Sequence, residues 1–255
     1  MDHNINEGII LLQGGKQLNK YETDGEPVFH QESSFQYLFG VKEADCYGYI
    51  NIKNGKSTLL FPRLPEAYAV WMGKIHPPSY FRDMYQVDEG RYVDELSQLL
   101  QEFKDQVIYT LQGLNTDSGL YAQSAHFEGI DSFKVDKDIL YPCVVKCRVY
   151  KTKKEIELMR YVNDITCDAH MAVMKHIKPG FKEFQMESIF NHWCYFKGGA
   201  RFQAYTCICA SGENGAVLHY GHAGFLLSSL SHLKLYIYIY KLNFTSYSLL
   251  LITII

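Results

Sequence analysis

His219 and His222 stand three residues apart in a Tyr- and Gly-rich stretch that follows the apolar run Ala216 to Tyr220. Loops at strand ends commonly carry functional side chains. With no carboxylate close by in sequence the pair is a weak metal motif, and contacts to a substrate or an ordinary structural role both fit it. Cys207 and Cys209 flank Ile208 with a spacing that leaves both thiols on one face of a strand. A zinc site wants a second pair of Cys or His ligands, so two buried apolar cysteines are the simpler account. Gly55-Lys56-Ser57 has the ending of a phosphate loop, but that loop needs a glycine where this chain has Ile50. The other histidines are scattered, and the lysines at 151–154 read as the solvated start of a helix.

These side chains need a scaffold, and its elements are legible in two parts. Gly8 to Gln13 reads as a buried strand meeting a loop at Gly14-Gly15, and Glu32 to Phe39 as a short helix closed by Gly40. Cys46 to Ile52 and Ser57 to Phe61 are β-rich runs on either side of Asn54-Gly55, a hairpin signal. Helices near Glu66 to Met72 and Asp94 to Phe103 and a strand from Val107 to Leu111 complete an alternating α/β pattern that ends near residue 145. Thr152 and Glu155 then have capping-box spacing. Leu158, Val162, Ile165, Ala169, Ala172 and Val173 form one apolar helical stripe that Pro179-Gly180 stops. A second helix runs from about Lys182 to Lys197 with Phe184, Ile189, Phe190 and Trp193 inward, and strands are expected at Tyr205 to Cys209 and Ala216 to Tyr220.

The chain has 255 residues, a formal net charge of −3 and a pI near 6.4. A charge so near neutral argues against a dedicated nucleic-acid binder. Seven cysteines are too few and too odd in number for a disulfide framework, which favours a reducing compartment. The first 30 residues hold no apolar run of signal-peptide length. From Phe225 the composition breaks. Leu, Ile, Tyr and Ser supply 23 of the last 31 residues, while all 28 acidic residues, 19 glycines and 7 prolines lie earlier. Lys234 and Lys241 leave a longest uncharged run of 14 residues, Leu242 to Ile255, short of the roughly 18 that a spanning helix needs. The alternation from Leu233 to Tyr240 reads as a β segment, and the tail as translated non-coding sequence, with a membrane anchor as the alternative.

Five strings go further: HQESSFQYLFG (30–40), GKSTLLFPRLPEAYAVWMGKI (55–75), GLNTDSG (113–119), CRVYKTKKEIELMR (147–160) and YTCICASGENGAVLHYGHAG (205–224). Together they closely resemble the Xaa-Pro dipeptidase (prolidase) family of animal type, over about residues 8 to 224. The resemblance implies an α/β creatinase-like amino-terminal domain over 1–145, the incomplete start of an α+β pita-bread metallopeptidase domain over 146–224, and a non-family tail over 225–255. It also implies cytoplasmic homodimers that hydrolyse dipeptides ending in proline or hydroxyproline. Two divalent ions, typically manganese, would activate a bridging water and polarise the scissile carbonyl.

In that family the metal ligands, two Asp, two Glu and one His, lie beyond the string that ends here at Gly224. No acidic residue follows Gly224 in this chain, and His232 is the one later histidine. The family's substrate-contacting histidine falls on His219 and a substrate-pocket tyrosine on Tyr205. No catalytic or metal-ligating residue carries over, and no ion is expected to bind this chain alone. The family also has some tens of residues before the strand at Gly8. The expectation is therefore an inactive partial product of a prolidase locus, with a non-catalytic dimerising module as the alternative. Helices deprived of most of their sheet are expected to leave apolar stripes uncovered and to aggregate.

Overall fold

Ile9 and Leu11 face one side of a strand and Ile10 and Leu12 the other, so this run has to be covered twice. The computed structural model describes residues 5–227 and the strand segments Leu233–Ile237 and Ile252–Ile254. It divides the chain into two compact units, residues 1–149 and 150–255. In the first, β1 (Ile9–Gln13) pairs antiparallel with β2 (Tyr47–Asn51), which pairs antiparallel with β3 (Ser57–Phe61). The edge strand β4 (Glu89–Tyr92) runs parallel to β3; on the other side β5 (Val107–Thr110) and β6 (Lys134–Asp136) follow β1 in parallel. The sheet order is β4-β3-β2-β1-β5-β6. Helices α1 (Ser33–Phe39), α2 (Ala69–Met72), α3 (Pro78–Tyr85), α4 (Leu96–Leu100) and α5 (Leu140–Val149) alternate with these strands.

The period of two divides the core. Ile9, Leu11, Tyr49, Leu60 and Ile108 pack with Leu96 and Leu100 of α4 and with Phe127, Ile130 and Phe133. Leu12, Leu59 and Phe61 pack on the opposite face with Phe35 and Phe39 of α1 and Leu140 and Val144 of α5. Each such fully buried side chain contributes about 1.5–3 kcal/mol of transfer free energy. Glu32 caps α1, its two carboxylate oxygens accepting from the backbone N–H groups of Ser34 at 3.0 Å and Phe35 at 2.8 Å. Buried Gln31 ties the loop before it: its oxygen accepts from Gly15 N at 2.6 Å and its amide donates to Glu43 O at 2.9 Å.

The hairpin expected around Asn54-Gly55 forms between β2 and β3: the Gly55 N–H donates to Asn51 O, and Gly55 takes φ +71° to close the loop. Other expectations need correction in detail. The stretch 93–103 is α4 between two short 3₁₀ turns, Val93–Glu95 and Gln101–Phe103. Helix α3 and strand β4 were not anticipated, although Pro77-Pro78 sits where a helix starts, with proline in its first turn.

In the second unit α6 (Lys153–His176) begins with the expected reciprocal cap: the Glu155 N–H donates to Thr152 Oγ1, and Glu155 Oε2 accepts from Thr152 N at 2.7 Å. Its stripe is covered. Val162, Ala169 and Val173 meet Met186, Phe190 and Cys194 of α7 (Glu183–Gly198) and, beyond them, Cys207 and Cys209. Phe184, expected inward, is 51% exposed; Glu183 takes the buried position instead. Strand β7 (Ile208–Ser211) pairs antiparallel with β8 (Leu233–Ile237), and β8 with β9 (Ile252–Ile254). The segment expected to be β from Leu233 to Tyr240 thus contains β8, while Tyr238 to Tyr240 and His232 lie outside the described residues. No strand forms at Ala216 to Tyr220: a 3₁₀ turn, Gly212–Ala216, leads into a further turn at Leu218 and His219. Among the described residues no helix is long and apolar enough to cross a membrane.

Gly48 in β2 faces the Phe39 ring so closely that an added Cβ would lie 2.6 Å from a ring carbon. Gly48→Ala must displace that ring from a filled core and is expected to cost about 1–3 kcal/mol, read as a lowered urea midpoint. An unchanged midpoint would show that the ring has room to move.

Candidate substrate site

A carboxylate at the first position of a helix normally sits in water, where the helix dipole favours it. Glu183, the first residue of α7, is instead completely buried, and a buried charge persists only when its oxygens are saturated with donors. Here they are. Oε1 accepts from the Ser211 N–H at 2.7 Å, the Ser211 hydroxyl at 2.9 Å and the Asn214 amide at 3.2 Å. Oε2 accepts from the Tyr220 hydroxyl at 2.7 Å and the Phe225 N–H at 3.1 Å. Burial pushes the Glu183 carboxyl up, but the donors, Tyr220 foremost, outweigh it and hold the group below its ordinary value.

Backbone bonds repeat the attachment. The N–H groups of Glu183 and Phe184 donate to Phe225 O and Ala223 O, and that of Leu227 donates to Phe181 O. Phe225 to Leu227, which composition alone assigns to the tail, therefore lie against the start of α7, with Leu227 buried. Between the end of β7 and these bonds the chain has no freedom except as a loop, and His219 and His222 lie on it, both exposed. The Tyr220 and His222 rings meet edge to face with centroids 5.7 Å apart.

Tyr205 precedes β7, half exposed in a bend. It lines a cleft of about 720 Å³ together with Glu187, Asn191, His192, Arg201 and Cys207. His219 is not among the cleft residues, so the two expected substrate contacts stand on the two arms that leave β7, in different settings. Burial raises the Glu187 carboxyl above its ordinary value. The expected pairing of Cys207 and Cys209 on one side holds, with sulfurs 3.7 Å apart.

A divalent metal does not fit these residues. Among the described residues no three His, Cys, Asp or Glu side chains come together as a possible ion site. Glu183, the one fully buried carboxylate among the described residues, has its lone pairs committed to five donors. Glu183 escaped the sequence reading because acidic residues in a first helical turn are ordinarily solvated; the Ser211, Asn214 and Tyr220 that demand it lie 28 to 37 residues away.

The fold is shared with aminopeptidase P. The aminopeptidase P of Escherichia coli in its low-pH form superposes with TM-score 0.76 at 22% identity, over 93% of this chain and 56% of that one. A putative aminopeptidase P from Bacillus anthracis gives 0.75 at 20%, over 91% and 57%. Two family profiles match: aminopeptidase P, N-terminal domain, over residues 1–109, and metallopeptidase family M24 over residues 157–231. The Xaa-Pro dipeptidase of Mus musculus is 53% identical over 215 residues, covering 84% of this chain and 44% of its own length; that of Homo sapiens is 52% identical over 216 residues, covering 85% and 44%. The chain belongs to the Xaa-Pro dipeptidase family within the aminopeptidase P-like peptidases, and spans less than half the length of these relatives.

Because the Glu183 carboxyl is held below the 4.5 of an unperturbed group, the stability it contributes is present above that pH and is lost as pH falls through the folded value. Proteolysis within 212–225 should therefore accelerate below pH 4.5. Glu183→Ala, which leaves several donors unpaired, should cost about 3 kcal/mol or more at neutral pH, measured by urea unfolding. Equal protease resistance at pH 6 and at a pH well below the ordinary carboxylate range would refute the assignment.

Proposed function

We propose that this chain carries the amino-terminal domain and the substrate-recognising opening of an Xaa-Pro dipeptidase, divided as 1–145, 146–224 and 225–255. The observation that supports this most directly is the 53% identity to an Xaa-Pro dipeptidase, which runs through both units. Tyr205 and His219 are the substrate contacts: a phenol and an imidazole on the two arms of β7, able to hydrogen-bond a dipeptide's polar groups. The family's hydrolysis uses two divalent ions, manganese being the pair we assign. Their hard-oxygen ligands are not supplied by these 255 residues, whose last carboxylate is Glu213. The isolated chain is accordingly inactive. We assign it to the cytoplasm and to a homodimer, with Trp71, 81% exposed on α2 beside exposed Val70 and Met72, on the contact surface of the first unit.

Purified chain given manganese and Gly-Pro should release no proline; turnover above blank, or uptake of two manganese ions per chain, would overturn the inactivity. The substrate roles are tested in a product whose transcript continues past codon 224 into acidic sequence. There, His219→Ala and Tyr205→Phe should each lower kcat/KM roughly tenfold or more, the worth of a hydrogen bond in the transition state. Unchanged kcat/KM in both would remove the assignment while leaving the family membership intact.

A further inference from the structure

Two sulfur atoms that the peptide chemistry does not use meet at the wall of the cleft. Cys207 and Cys209 are both buried, their sulfurs are 3.7 Å apart, and Cys207 is one of the residues lining the cleft. Among the described residues no third donor joins them in a possible ion site, which sets the pair apart from a structural zinc centre. Their backbones differ in freedom. Cys209 is inside the ladder, opposite Leu235, whereas the pairing of β7 with β8 begins at Ile208 and leaves Cys207 outside it. Alternate residues on an extended strand are about 6.6 Å apart at Cα, near the upper limit of roughly 6.8 Å for a disulfide. A small bend at Cys207, one residue before the first pair of the ladder, brings the pair within range.

We propose that Cys207 and Cys209 are a peroxide-oxidisable dithiol that closes to an intrachain disulfide beneath the cleft that Tyr205 lines. Hydrogen peroxide fits the cleft, and Cys207 is the sulfur on that side. Its sulfur attacks the O–O bond, keeps one oxygen as a sulfenic acid and releases the other as water. The Cys209 sulfur then displaces that oxygen as a second water, giving up its own proton, so that two thiols lose two electrons and one peroxide becomes two waters. The order of events follows from the environment: the hydrogen bond with the Cys207 sulfur, and burial behind it, push the Cys209 thiol far up. Cys209 keeps its proton until a sulfenic acid forms beside it. Ring closure draws Cys207 toward the strand and moves Tyr205, two residues upstream, relative to the cleft it lines.

The test is peptide mapping of the folded full chain after limiting hydrogen peroxide and alkylation, without reductant. The peptide holding both residues should lose two hydrogens, resist alkylation, and recover both thiols with dithiothreitol. Cys209→Ser should trap Cys207 as a sulfenic acid that dimedone labels, and Cys207→Ser should abolish both the disulfide and the label on this peptide. Exposed Cys143, Cys147 and Cys167 serve as the reference for oxidant dose. The proposal is overturned if Cys207 and Cys209 stay reduced while those three are oxidised. It is equally overturned if either pairs with Cys194 of the same apolar cluster, or if the bond forms only in urea.

Discussion

One buried carboxylate decides the shape of the second unit's polar end. Glu183 begins α7, and its oxygens gather groups from the end of β7, from the 3₁₀ turn after it, from Tyr220 and from Phe225. An ion of this kind contributes little if its partners can be replaced by water, and much if they cannot. Here the site is closed, so protonating or deleting the carboxylate strands several donors at once. The consequence is geometric as well as energetic. A loop rich in glycine, which entropy would leave loose, is given one path, and the residues at its tip inherit that path.

Much of the scaffold was legible because it follows local rules. The apolar run at Gly8 to Gln13, the closure of α1 at Gly40, the Thr152–Glu155 cap and the stripe of α6 all depend on residues within a few positions of one another. Errors fell where distant partners override local pattern. Strand β4 (Glu-Gly-Arg-Tyr) has no alternation to reveal it: it is an edge strand whose one strand neighbour is β3. The run at Ala216 to Tyr220 has a strand's composition but is claimed by Glu183 through the Tyr220 hydroxyl, and becomes a turn. Phe184 was placed inward by helical periodicity, yet at the first turn of α7 the inward position belongs to Glu183, whose donors come from elsewhere in the unit. Apart from Phe184, the inward residues of α7 pack with the α6 stripe, which was expected to be bare, and with the two cysteines.

The candidate site was legible only as residue identities. Tyr205 and His219 were singled out by likeness to a family string; nothing in their spacing said that one would line a cleft while the other stood on an exposed turn. The glutamate that organises His219's loop carried no signal, and its commitment to five donors explains why a carboxylate near the site is no metal ligand. Acceptor lone pairs spent on N–H and O–H groups are unavailable to a cation, so proximity of an acid to a peptidase loop says little about metal chemistry until its partners are counted.

Strand β7 divides control of the two arms. The Tyr205 arm leaves it at Ile208, with Cys207 and Cys209 at the junction; the His219 arm leaves at Ser211, with Glu183 there. A change in sulfur oxidation state acts on the first junction, and a change in carboxylate protonation on the second. The two events touch different atoms and lie on opposite ends of a strand held in register by β8. A strand fixed by its ladder transmits little bending along its length, so each arm responds to its own junction. The consequence for this fold is that the contacts proposed at Tyr205 and His219 are separable: oxidation perturbs the cleft wall while the pinned loop stays in place, and acid frees the loop while the cleft wall keeps its shape.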